Sequence, residues 1–158
     1  MEGLVPVFIS HKKTDRSDAI SIASYLKNRG VICYVDEFDP TLQKTNDITK
    51  AIMDRVRACS HLMAVVSENT NDSWWVPFEI GVASEIDKRI CSYKIRSVSL
   101  PEYLEKWPIL RTSIHLDKFI HHYKNDNTVQ LNEGRTYAAT IRSADSFHKS
   151  LKSSIGQY

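Results

Sequence analysis

Apolar positions in this chain follow two alternating patterns. Short runs rich in β-branched and aromatic residues, LVPVFIS at 4–10, VICYVD at 31–36 and HLMAVVS at 61–67, read as strands. Between them apolar residues recur every three or four positions, the spacing of one helix face. Over 14–30, Ile20, Ala23 and Leu26 share such a face, Thr14 or Asp15 is placed to cap the start, and Gly30 ends the helix. Over 47–59, Ile48, Ile52 and Val56 recur every four residues. SWWVPFEIGVASEI at 73–86 predicts a third helix. Pro77 is tolerated in its first turn, where backbone N–H groups have no intrahelical partner in any case. RICSYKI at 89–95 reads as a short fourth strand, 100–110 and 113–124 as short helical pieces, and 136–154 as a closing helix. In that last helix Ile141, Ala144, Phe147 and Leu151 form the expected buried stripe, and Trp107 is expected to pack in the core.

Strands and helices alternating at this spacing predict βαβ crossovers, and hence an α/β domain with a doubly wound parallel sheet and helices on both faces. Ligands of such sheets sit at the carboxyl ends of the strands. The segments leaving the first three strands, SHKK at 10–13, DEFD at 36–39 and SENT at 67–70, are all polar and all reach that edge.

One residue breaks the apolar pattern of the third helix. Glu79 lies four positions after Trp75, so the two share a face, and Val82, Ala83 and Ile86 continue roughly the same stripe. The helix start puts Glu79 within about two turns of the ligand edge. Position alone leaves two readings open: an acid favoured there by the helix dipole and nothing more, or an acid facing a bound molecule.

Composition narrows the classes. A chain of 158 residues supports one core of ordinary size, so a single domain spanning 1–158 is expected. A formal net charge of +2 is too small for a dedicated nucleic-acid binder. No apolar run approaches the roughly 20 residues that span a bilayer, and the first residues lack the pattern of a secretory signal, so a cytoplasmic protein without membrane or nucleic-acid partners is expected. Cys33, Cys59 and Cys91 have no CxxC spacing and read as reduced core thiols. His115, His121 and His122 read as solvated surface rather than a metal cluster, since adjacent histidines on a helix point apart. Serine-hydrolase, P-loop and dinucleotide-fold glycine motifs are missing. A phosphoryl-accepting receiver would need clustered acids after its first strand, where this chain has SHKK.

VFISHKKTD, YVDEFDP, SHLMAVVSEN and SWWVPFEIGVA, in this order and spacing, resemble the successive boxes of a bacterial Toll/interleukin-1 receptor (TIR) domain. The resemblance is good over 1–90 and loose over the helical part at 91–158. It implies a flavodoxin-like sheet. The W-x-x-x-E pattern of Trp75 and Glu79 is its most specific element: in enzymatic TIR domains the glutamate at that position is catalytic for cleaving the nicotinamide–ribose bond of NAD⁺, and the resemblance implies that role for Glu79. Nicotinamide leaves as a neutral molecule, so positive charge moves onto the ribose, and an ionised carboxylate stabilises it electrostatically, by holding hydroxyls or by attack.

Substrate contacts are expected from Phe8 and Ser10, which match the nicotinamide side of the family's pocket, although strand alternation equally places Phe8 in the core. His11, Lys12 and Lys13 lead into a helix whose free N–H groups and basic side chains are suited to hold a pyrophosphate, with a solvated turn the alternative and the preferred reading for Lys13. Asp36 and Phe38 begin the loop that in the family covers the site and contacts neighbouring subunits, with capping of a strand end an equally simple role for Asp36. Trp75 is the aromatic neighbour of Glu79. That loop has Pro40 without a following glycine, unlike the animal signalling domains, which favours the enzyme reading. No metal or resident cofactor is expected, and NAD⁺ enters as substrate. Burial among aromatics would disfavour an ionised acid, so surroundings that are partly polar or open are expected, with activity falling toward acid pH.

Taken as a stand-alone domain, the chain resembles the TIR proteins of Thoeris-type antiphage defence. That resemblance implies an ADP-ribose-derived product, plain, cyclic or conjugated, that activates a separate effector, with self-association on activation. The alternative is a non-catalytic TIR adaptor that acts by assembly.

Overall fold

A computed structural model describes residues 5–35, 45–68, 70, 75–96, 99–132 and 137–158; side chains are described within these except at 45–49, 75, 127–132 and 137–143. The strands are β1 (Val7–His11), β2 (Cys33–Val35), β3 (His61–Val66), β4 (Arg89–Lys94) and β5 (Ile109–Leu110), and the helices α1 (Arg16–Lys27), α2 (Thr45–Arg57), α3 (Trp75–Glu85), α4 (Ser113–Asn132) and α5 (Tyr137–Ser154). All strands pair in parallel in the order β2-β1-β3-β4-β5. This is the flavodoxin-like order, whose direction of winding switches between β1 and β3.

Alternation along the buried strands divides the core in two. Val7, Ile9, Met63, Val65 and Cys91 face α1, α4 and α5, whereas Phe8, Leu62, Ala64, Val66 and Ile90 face α2 and α3. On the first side α1 buries Ala19, Ile22, Ala23 and Leu26; Ile20, expected on that face, is 43% exposed, so the buried stripe runs one position over. Gly30 adopts φ +85° and ends the α1 segment as expected. Ile52 and Val56 of α2 are buried. In α5, Ala144, Phe147 and Leu151 are buried, and Trp107 lies in the core.

The carboxyl-terminal part departs from the sequence reading in two ways. Residues 113–132 form one 20-residue helix rather than a short piece. Within the segment read as helical, only Glu102–Lys106 form a 3-10 turn, and Ile109–Leu110 make a fifth strand. Two residues have no periodicity of their own; pairing of Ser92 with Ile109 and of Tyr93 with Leu110 makes them a strand. The outer edge of β5 is covered by Gln157, whose Nε2 donates to the Ile109 carbonyl (2.6 Å) and whose Oε1 accepts from the Ile109 N–H (2.9 Å).

Candidate functional site

The carboxyl ends of β1 and β3 lie at the switch point of the sheet, where side chains from α3 and from the start of α1 meet them. On α3, Val76, Ile80 and Ala83 are fully or almost fully buried at i, i+4 and i+7. Glu79 sits inside that stripe, between Val76 and Ile80, and is 0% exposed. Pro77 is the third residue of the helix, in its first turn as expected.

Glu79 Oε1 accepts a hydrogen bond of 2.6 Å from the Ser10 hydroxyl, also 0% exposed. The expected surroundings are thus polar, as a buried hydroxyl partner, but not open. The contact joins residues 69 positions apart, and nothing in local periodicity announces it.

The remaining candidates are distributed as follows. Phe8 is fully buried in the α2/α3 side of the core and stacks on Tyr34 with ring centroids 5.7 Å apart. His11 is buried, and its Nδ1 lies 2.8 Å from the Lys12 carbonyl; since a carbonyl only accepts, Nδ1 carries a hydrogen. His11 Nε2 has no hydrogen-bond partner among the described residues. Lys12 is half-buried and extended, and its carbonyl also accepts the Asp15 N–H (2.8 Å), turning the chain into α1. Trp75 is the first residue of α3, four before Glu79, and its side chain lies outside the described residues, as do Asp36 and Phe38 entirely.

Asp15 has a different role from the cap first considered for it. It occupies the N-cap position of α1 without a capping hydrogen bond, and its buried carboxylate accepts from the Ser67 hydroxyl at 2.7 Å. The Ser67 N–H in turn donates to Thr70 Oγ1 (3.0 Å). Arg96, in the left-handed region at φ 61°, binds Glu68 through two N–H groups and lies 4.0 Å from Asp15 and 3.8 Å from Asp18. The Glu68 carboxyl is held below its usual range, first by a backbone N–H and then by Arg96. The segments leaving β1, β3 and β4 are thereby tied together at the carboxyl edge of the sheet. The polarity of SENT pointed to this edge, but its pairing with Asp15 depends on tertiary contact alone.

His115 accepts a hydrogen bond from the Arg111 N–H and His121 meets Asn125, both at the surface. Among the described residues no helix is long and apolar enough to cross a membrane.

A flavodoxin-like sheet carrying a buried acid at its switch point defines the class. Within it, the TIR domain family model matches residues 7–131, and the chain belongs to that family. A curated relative, the probable 3′ cyclic ADP-D-ribose synthase ThsB′ of Bacillus cereus (strain MSX-D12), is 24% identical over 112 residues, covering 65% of this chain; the match spans 58% of the relative's length. Among solved structures, the TIR domain of the Toll-related receptor TRR-2 from Hydra magnipapillata superposes with a TM-score of 0.59 at 17% identity, covering 77% of this chain and 97% of that one. A metazoan TIR-STING receptor from C. gigas gives 0.56 at 22% identity, covering 77% and 41%. These structural likenesses establish the fold.

Proposed function

We propose that this TIR domain cleaves NAD⁺, releasing nicotinamide and forming an ADP-ribose-derived product that signals to a separate effector in antiphage defence. The observation that carries the reading is Glu79: a carboxylate placed inside the apolar stripe of α3, at the switch point of the sheet, accepting the Ser10 hydroxyl. An acid so placed is hard to account for by folding alone, because burying a carboxylate disfavours the fold unless it is compensated. The relative described as a cyclic ADP-ribose synthase supports the same chemistry.

In the reaction, the bond between ribose C1 and the nicotinamide nitrogen breaks and its electron pair quenches the pyridinium charge. The positive charge left on the ribose is stabilised by the Glu79 carboxylate. A hydroxyl then bonds to C1 and loses its proton: water gives ADP-ribose, and a hydroxyl within the same molecule gives a ring. His11, Lys12 and Trp75 are the proposed substrate contacts, with Asp36 and Phe38 contributing from the following loop. Because Glu79 is fully covered, substrate entry must uncover it, which suits an enzyme that acts only when triggered or assembled.

Mass spectrometry of the products formed from NAD⁺ by the native protein and by Glu79→Gln tests this. Nicotinamide release is expected from the native protein and should fall about a hundredfold or more in the variant. A product lighter than ADP-ribose by one water indicates cyclisation. Undiminished release by Glu79→Gln would overturn the role of Glu79. No turnover by either protein, in buffer or in lysate of phage-infected cells, would leave a TIR module that acts by assembly.

A further inference from the structure

We propose that Ser10 is a positioning residue for this reaction: its hydroxyl holds Glu79 Oε1 in place and keeps the carboxylate ionised where no solvent reaches it. The inference rests on the reading of Glu79 as the reacting acid and assigns how this chain maintains it.

The sheet face beneath α3 changes character at Ser10. One row of in-register neighbours is Phe8, Leu62 and Ile90, three large apolar side chains; the next row on the same face is Ser10, Ala64 and Ser92. All six are buried. The drop in side-chain volume falls in the row from which Ser10 reaches Glu79, and it makes room for a carboxylate under a helix that is otherwise packed on large residues. The polarity is graded within that row as well. Ala64 offers no donor, and Ser92 Oγ, two strands from Ser10, has no hydrogen-bond partner among the described residues. Ser10 has one hydroxyl hydrogen, and it is committed to Glu79 at 2.6 Å. To donate to a substrate it would have to release the carboxylate. Its oxygen can still accept from a substrate hydroxyl, and the effect proposed here is the one that passes through Glu79.

A hydrogen bond to the charged form of an acid favours that form, and burial opposes it. Removing the donor while the burial stays therefore shifts the Glu79 carboxyl toward protonation at higher pH. Two readouts follow, and one of them needs no turnover. In protein labelled with ¹³C at the glutamate carboxyl, with the Glu79 signal assigned by its loss in Glu79→Gln, the Ser10→Ala variant should titrate Glu79 about one pH unit or more higher than the native protein. Ser10→Cys, a weak donor of similar shape, should fall between the two. In the pH profile of nicotinamide release, the acid limb should move by the same amount in Ser10→Ala. If Ser10→Ala does not fold, Ser10→Cys carries both measurements. An unchanged Glu79 titration in the folded variant, or a loss confined to KM with the acid limb unmoved, would overturn the proposal. A native protein that releases no nicotinamide while the titration shifts would overturn the enzymatic reading and leave the Ser10–Glu79 linkage standing.

Discussion

Glu79 and Ser10 are a pair whose two members are worth different amounts alone and together. Deleting the hydroxyl leaves a buried carboxylate with one donor fewer, which costs about 1–3 kcal/mol; replacing both partners with apolar groups of similar shape is close to neutral or stabilising. The double variant Ser10→Ala/Glu79→Met is therefore expected to be more stable than Ser10→Ala alone and at least as stable as the native chain, while releasing no nicotinamide. For a domain of this size each kcal/mol is about 2–4 °C in Tm, so thermal melts of the three proteins resolve the difference. Such a gain in stability with loss of function is what a site retained for chemistry produces. A double variant melting well below Ser10→Ala would instead make Glu79 a structural acid, held by further contacts that Met cannot replace.

At the scale of elements, the carboxyl edge of the sheet is held by contacts of unequal depth. Asp15, almost fully buried, joins the start of α1 to the end of β3 through Ser67, whereas Arg96 meets Asp15, Asp18 and Glu68 with its own side chain half exposed. Exposed ion pairs contribute at most about 1 kcal/mol, and a buried hydrogen-bonded carboxylate is costlier to lose. Asp15→Ala should lower stability in urea by about 1–3 kcal/mol and Arg96→Ala by less than about 1 kcal/mol; the reverse order would show that Arg96, not Asp15, ties the edge. The elements themselves were largely legible, because β1, β3, β4, α1 and α3 each carry enough residues to repeat a pattern. Features set by partners distant in sequence were not: β5 exists by pairing with β4 and by the Gln157 amide at its edge, and the outward turn of Ile20 follows from how α1 seats on the sheet. The site divides in the same way. Glu79 stood out as an acid in an apolar stripe, whereas the hydroxyl that holds it and the Asp15–Ser67 bond come from tertiary contact.

At the scale of the whole molecule, polar groups are buried at both ends of the strands, and the two ends answer acid differently. At the amino-terminal end His61 opens β3 inside a cage of Phe119, Tyr123 and Phe147, with ring centroids 5.9, 5.0 and 4.8 Å away. Its Nδ1 meets the Ser60 hydroxyl at 2.5 Å, and its Nε2 lies 3.1 Å from Asp126, which also faces Arg89 at 2.9 Å. Burial holds His61 below its ordinary range, against the pull of Asp126 and with Arg89 and Lys88 reinforcing the shift. His148 of α5 accepts the Ile90 N–H at 2.8 Å and is pushed down to about 4, chiefly by burial, with Asp145 opposing and Arg89, His61 and Lys152 adding to it. Both imidazoles are thus neutral in the fold at a pH where an unfolded histidine, at about 6.5, already takes a proton. Above that value neither state gains a proton there and stability is level with respect to these groups. Below it the unfolded chain binds protons that the fold refuses, so stability falls as the pH drops, for His148 until about 4. The loss through His148 reaches roughly 3 kcal/mol at the lower limit. Urea unfolding between pH 7.5 and 5 should show this decline, and His148→Gln, whose amide oxygen still accepts the Ile90 N–H, should flatten part of it. A stability unchanged over that range would mean that these rings protonate in place. Because this cluster lies at the opposite end of the strands from Ser10 and Glu79, the two acid responses separate by substitution: His148→Gln should change the pH dependence of unfolding and leave the acid limb of nicotinamide release where it is, and Ser10→Ala should move that limb.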